Sequence, residues 1–124
     1  MLFRSEQFCD HLVAKFGKAN VGTEVRGGPT LTSIDVVVKT KAGYTFYEIK
    51  TSESLRKCIR EAVPQLLEYA YWPCEDRARQ LVIVTVNAPT SDAKAYLAHL
   101  RTKFGIPIHH ERVNRKTGVL SARF

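Results

Sequence analysis

Ser33-Ile-Asp-Val-Val-Val-Lys-Thr-Lys-Ala-Gly-Tyr-Thr-Phe-Tyr-Glu-Ile-Lys50 is the stretch on which the fold turns. Two runs rich in β-branched and aromatic residues flank the turn-forming Thr40-Lys41-Ala42-Gly43, the pattern of a β-hairpin. With those four residues as the loop, Lys39 lies opposite Tyr44. The same register sets Asp35 opposite Glu48. Side chains alternate along a strand, so Lys50 shares a face with Glu48. Directly opposed residues have Cβ atoms roughly 4.5–5.5 Å apart. Two carboxylates so close repel each other unless something positive lies between them, and a divalent cation suits that place. A slip of one residue would put the two carboxylates on opposite faces, so everything rests on the register. The other hairpin face, Ile34, Val36, Val38, Tyr47 and Ile49, is apolar and supplies a core.

Outward from the hairpin, the chain reads as a single domain over residues 1–124. Before it, Ser5–Phe16 has a helical stripe of Phe8, Cys9, Leu12, Val13 and Phe16, with Ser5 as its cap. Thr23–Arg26 reads as a short strand ended by Gly27-Gly28-Pro29. After the hairpin, Leu55, Ile59, Ala62, Leu66, Leu67 and Ala70 form the apolar face of a long helix reaching about Trp72. Pro64 falls in its middle and is expected to kink or split it, or to open a second helix. Gln80–Val86 is a near-continuous apolar run, as in a strand buried on both faces. A further helix is predicted over Asp92–Phe104, with Ala95, Leu97, Leu100 and Phe104 inward. Ile106–Ile108 follows as an edge strand, and the stretch from Arg112 to Phe124 reads as a small basic hairpin or an unstructured tail. The order α-β-β-β-α-β-α-β predicts an α/β protein, a mixed central sheet with helices on both faces.

Of the 124 residues, 44% are hydrophobic and the net charge is +7, a balance that suits an anionic partner such as nucleic acid. The basic residues span the chain, which favours a folded basic face over a basic arm. Cys9, Cys58 and Cys74 are odd in number and form no Cys-x-x-Cys pair. They predict reduced thiols, not a disulfide framework or a zinc site. No apolar run approaches the ~18 residues of a membrane span, and Met1–Glu6 lacks the apolar core of a signal peptide. These features predict a cytoplasmic protein with no membrane partner.

Asp35, then Glu48-Ile49-Lys50, then Gln65-x-x-x-Tyr69 on a helix resembles the PD-(D/E)xK nuclease superfamily, over roughly residues 5–86. The interval from Asp35 to Glu48 is similar to that of small Holliday-junction resolvases, and the Gln-x-x-x-Tyr helix to the RecB-like branch. Ile34 stands where the name-giving motif has proline. The resemblance implies a restriction-endonuclease-like αβββαβ core and a Mg²⁺- or Mn²⁺-dependent nuclease. It implies that Asp35, Glu48 and the backbone carbonyl of Ile49 hold the metal and that Lys50 orients the attacking water. Gln65 and Tyr69 would contact the nucleotide or the metal's surroundings. A further carboxylate often comes from the first helix in this superfamily. Glu6 matches that position, with Asp10 and Glu24 as alternatives.

Arg56, Lys57 and Arg60 are candidates to hold DNA phosphates near the metal. DNA is the expected partner, with RNA still open. A homodimer is expected because two-fold pairs commonly cut two strands. Val82, Ile83, Tyr71 and Trp72 are candidates for its interface. His109-His110-Glu111 is a poor metal motif, since adjacent strand residues point to opposite faces, and reads as a phosphate contact. No glycine-rich phosphate loop and no serine nucleophile elbow is present. The expected substrate is branched DNA, for a structure-selective enzyme, or equally the target of a restriction or phage-defence nuclease. The alternative is a non-catalytic nucleic-acid-binding or assembly module on the same fold. A third class is an interaction protein whose charges are structural.

Overall fold

The computed structural model describes residues 5–25 and 34–124, with the side chains of Ser5, Glu24, Val25, Ile34 and Asp35 outside that description. The predicted Gly27-Gly28-Pro29 break also lies outside the described residues.

Helix α1 spans Ser5–Phe16, and a short 3₁₀ turn over Lys18–Asn20 leads into strand β1, Val21–Val25. Strands β2 (Ile34–Thr40) and β3 (Gly43–Ile49) form the hairpin. Helix α2 (Leu55–Tyr71), strand β4 (Gln80–Thr85), helix α3 (Ser91–Phe104), and strands β5 (Ile108–Val113) and β6 (Leu120–Arg123) follow. The six strands form one sheet in chain order, β1-β2-β3-β4-β5-β6. β1, β2 and β3 pair antiparallel; β3, β4 and β5 pair parallel; β6 returns antiparallel to β5. Each parallel step needs a crossover, and α2 and α3 supply them.

The hairpin register is the expected one: Lys39 faces Tyr44, and Asp35 faces Glu48. The turn sets it. Thr40 Oγ1 accepts from the Ala42 amide at 3.2 Å. It also donates to the Gly43 carbonyl at 3.1 Å. Gly43 has φ 127°, a conformation that favours glycine, and a Cβ there would collide with Arg79 Cγ.

Two cores lie on the two faces of the sheet. Phe8 and Leu12 of α1 pack on Val36, Val38, Tyr47, Ile49, Val82 and Val84. On the opposite face, Ile59, Leu66 and Ala70 of α2 and Leu97 of α3 pack on Phe46, Leu81, Ile83 and Ile108. Helices thus cover both faces, as the element order predicts.

Four expectations need correction. α2 is one continuous helix with Pro64 inside it, so neither the expected split nor a second helix forms. Pro64 is exposed, so the carbonyl deprived of its amide partner can take a hydrogen bond from water. In α3, Ala93 and Leu97 are buried whereas Ala95 is exposed, because it sits two residues from each, on the far side of a helix with 3.6 residues per turn. Phe104 keeps to the inward stripe, but at the last turn it is 60% exposed. The strand near Ile106–Ile108 begins at Ile108 and is interior, because β6 covers its outer side and makes the final stretch a hairpin.

The expected dimer contacts Val82 and Ile83 are both 0% exposed in the middle of the sheet and cannot meet another chain. Among the described residues no helix is long and apolar enough to cross a membrane, and the three cysteines are free thiols.

Candidate active site

Strands β3, β4 and β5 end at the same side of the sheet, and α2 and α3 begin there. In open α/β sheets, this C-terminal rim is where ligands bind. Pairing across the antiparallel strands builds a row of acidic residues at that rim: Glu24 of β1 opposite Asp35 of β2, and Asp35 opposite Glu48 of β3. Sequence reading paired only Asp35 with Glu48. Glu24 joins the row because β1 continues the sheet beyond β2.

Glu48 lies on the α2 side of the sheet, since its neighbours Tyr47 and Ile49 pack on the α1 side. The Glu48 carboxylate is buried, and Lys50 Nζ lies 3.5 Å from its Oε2; the two side chains are 3% and 4% exposed. The Lys50 amide donates to the Val84 carbonyl at 2.9 Å, which extends the β3–β4 ladder past the end of β3. A charged pair so deeply buried adds little net stability, because desolvation offsets most of its attraction.

Gln65 and Tyr69 lie on the flank of α2 that meets β3. Tyr69 packs edge-on against Phe46, with ring centroids 5.2 Å apart. α2 runs antiparallel to β3. One turn back along the helix covers about 6 Å, and two residues forward along the strand cover about the same. Gln65 therefore lies alongside Glu48. Its Oε1 is buried with no hydrogen-bond partner. Leaving such an oxygen unsatisfied costs about 1–3 kcal/mol, so a cation or a bound water here has a ready acceptor.

No family model, no curated protein and no solved structure matches this chain. The reading of the site therefore rests on its own geometry.

The remaining candidates occupy different surroundings. Arg56, Lys57 and Arg60 are exposed on the first half of α2. Ser54 caps that helix by accepting from the Lys57 amide at 3.2 Å. Glu6 is exposed on α1, across the sheet from Glu48, although α1 also begins at the same rim: Gln7 lies against Gly118, in the turn that joins β5 to β6. Of the run His109-His110-Glu111, only His109 is part-exposed. His110 is 0% exposed, and Glu111 is held by Arg123 at 2.8 Å. Among the described residues no group of three His, Cys, Asp or Glu side chains could hold a metal.

Sequence reading missed a polar scaffold behind Lys50. Asn87 Nδ2 donates to the Ser52 carbonyl at 2.9 Å and to Cys58 Sγ at 3.7 Å. Cys58 Sγ also donates to Ser52 O at 3.3 Å. Together they pin the loop between β3 and α2 to the end of β4. Burial pushes the Cys58 thiol up, and the Lys50 ammonium is close enough to pull it down in part. A lone Asn after a strand carries no pattern; only its place at a strand end could have suggested it.

The scaffold continues into His110, whose Nε2 is 2.8 Å from Thr85 Oγ1, and Thr85 Oγ1 also accepts from the Asn87 amide at 3.1 Å. Burial lowers the pKa of His110 from 6.5 to about 4, so the ring is neutral at pH 7. The unfolded chain then binds this proton more readily than the folded one. Its contribution to stability is complete above pH 6.5 and is lost as pH falls toward 4. The expected loss from this one group is about 3 kcal/mol. Urea unfolding at pH 7 and pH 4.5 should show a marked drop in the wild type, and His110→Gln should flatten that difference.

Proposed function

We propose that this protein is a metal-dependent nuclease that hydrolyses phosphodiester bonds in DNA. The observation that carries the reading is the register that sets Asp35 opposite Glu48, with buried Lys50 two residues on, at the rim where the parallel strands end. The carboxylates of Asp35 and Glu48 and the carbonyl of Ile49 are hard oxygen donors, which suit Mg²⁺ or Mn²⁺. The buried, unpartnered Gln65 Oε1 fits the same surroundings, as an acceptor for a metal-bound water. Glu24, in the same row, would supply a third carboxylate from the strand side, whereas Glu6 stands at the same rim across the sheet. When bound, the metal lowers the pKa of a water and offsets charge at the scissile phosphate.

The chain's own residues do the rest. Lys50 holds positive charge where negative charge develops, in a buried setting that strengthens it. Asn87 and Ser52 fix the loop that follows Lys50. Arg56, Lys57 and Arg60 carry the DNA backbone up to the rim. With a net charge of +7, the protein attracts a polyanion generally. A pair of chains related by a two-fold axis would cut both strands of a duplex.

The test is cleavage of labelled linear duplex, single-stranded and four-way-junction DNA with Mg²⁺, Mn²⁺ or EDTA. Cutting that EDTA stops supports the reading. Salt-sensitive binding with no cutting under any metal would instead favour a non-catalytic DNA-binding module. Metal binding has its own readout. A ligand at ten times its Kd stabilises the folded state by about 1.4 kcal/mol. Mg²⁺ should therefore raise the melting temperature by roughly 4–8 °C, whereas NaCl of equal ionic strength should not.

A further inference from the structure

The first halves of α2 and α3 leave a cleft between them, on the same side of the sheet as Glu48 and opening at the same rim. Its volume is about 700 Å³, in the range that holds a small ligand. Leu55, Ile59 and Ala93 line its apolar floor, and each is nearly buried. Tyr96 forms one wall and is 49% exposed, so an aromatic side chain is left open to solvent there. Arg56 and Arg60 stand on the opposite wall, one helical turn apart and both exposed. Among the described residues, Asp92 is the one acidic side chain on the lining.

An aromatic face across an apolar floor from a pair of cations is the equipment that binds unpaired nucleotides. The ring stacks on a base, and the guanidiniums take the phosphates. A base inside a duplex shows only its edges, so its face reaches Tyr96 only when the strand is open. An apolar peptide would fill the floor but leave both arginines without a partner. The charge of the walls therefore selects a polyanion.

We propose that the α2–α3 cleft binds an unpaired nucleic-acid strand, with a base stacked on Tyr96 and the phosphates held by Arg56 and Arg60. This rests on the nuclease reading of the neighbouring rim and narrows it. The substrate presents a single-stranded segment beside the bond that is cut, as a flap, a fork or an opened junction does.

The test is fluorescence anisotropy of labelled dT₁₂ and of a blunt hairpin duplex, in EDTA to prevent cutting. Tyr96→Ala should weaken dT₁₂ binding about 5- to 100-fold, with Tyr96→Phe close to wild type and the hairpin little affected. Arg60→Ala should reduce the salt slope for dT₁₂ by about 0.7, the value for one phosphate on a single strand. Unchanged dT₁₂ affinity in Tyr96→Ala would overturn the proposal. So would an equal loss for the hairpin, or a shift from dimer to monomer in sedimentation, which would make the cleft a self-association surface. Cleavage of linear duplex with Mg²⁺ separates the two readings. If Tyr96→Ala binds dT₁₂ normally and wild type still cuts, only the cleft proposal fails. A wild type that neither binds nor cuts overturns both.

Discussion

Glu48→Gln is expected to lower Mg²⁺-dependent DNA cleavage by at least about 10³-fold, a loss of several kcal/mol in charge stabilisation at the reacting phosphate. The substitution keeps the shape of the side chain and removes its charge. It should also abolish the thermal shift produced by Mg²⁺, since a metal donor is gone. Lys50→Ala separates binding from chemistry. Cleavage should fall by about 10²–10³, the range for loss of one group that stabilises developing charge. The Mg²⁺ thermal shift should persist, because an ammonium is no metal ligand. Rates and melting curves for the two variants, side by side, check both points. Two variants that cut like wild type would remove Glu48 and Lys50 from the chemistry.

Lys50→Met is expected to destabilise the fold by about 3–5 kcal/mol, because it takes away the ammonium that faces a buried carboxylate. Lys50 Nζ and Glu48 Oε2 are 3.5 Å apart, and neither side chain is more than 4% exposed. The double variant Glu48→Gln/Lys50→Met should regain most of that loss, since no buried charge remains to be paired. Urea unfolding of the two single variants, the double variant and wild type measures the coupling. A cost below about 1 kcal/mol for Lys50→Met would mean that the pair behaves as a solvated surface bridge. Together the two results would place the chemistry at a point where the fold gives up stability for charge.

The hairpin was legible because three local signals agree: the turn at Thr40–Gly43, the apolar alternation of Val36, Val38, Tyr47 and Ile49, and the glycine that the turn geometry favours. Agreement on register brings Asp35 opposite Glu48, so that half of the acidic row follows from the sequence alone. The helix starts at Leu55 and near Asp92 were legible from their apolar stripes, and the structure adds the caps that fix them, Ser54 and Thr90. β5 was harder. His109, His110 and Glu111 break the apolar run, and only the long-range pairings with β4 and β6 make an interior strand of them. Asn87, and the pairing of Glu24 with Asp35, were hidden for the same reason. Each residue acquires its meaning from a partner distant in sequence: Ser52 for Asn87, Asp35 for Glu24.

All three helices start at the rim that carries the acidic row, and all three run away from it. A helix carries roughly half a positive charge at its N-terminus and the opposite at its far end. The backbone alone therefore makes the molecule electrically lopsided, positive at the rim and negative toward the end where Trp72 and Phe104 are exposed. Asp92, in the first turn of α3, cancels part of that field. What remains acts within the ~8–10 Å that salt leaves unscreened. At the rim that backbone field opposes the mutual repulsion of the acidic row, so the winding of the chain lightens the cost of gathering carboxylates at one edge of the sheet.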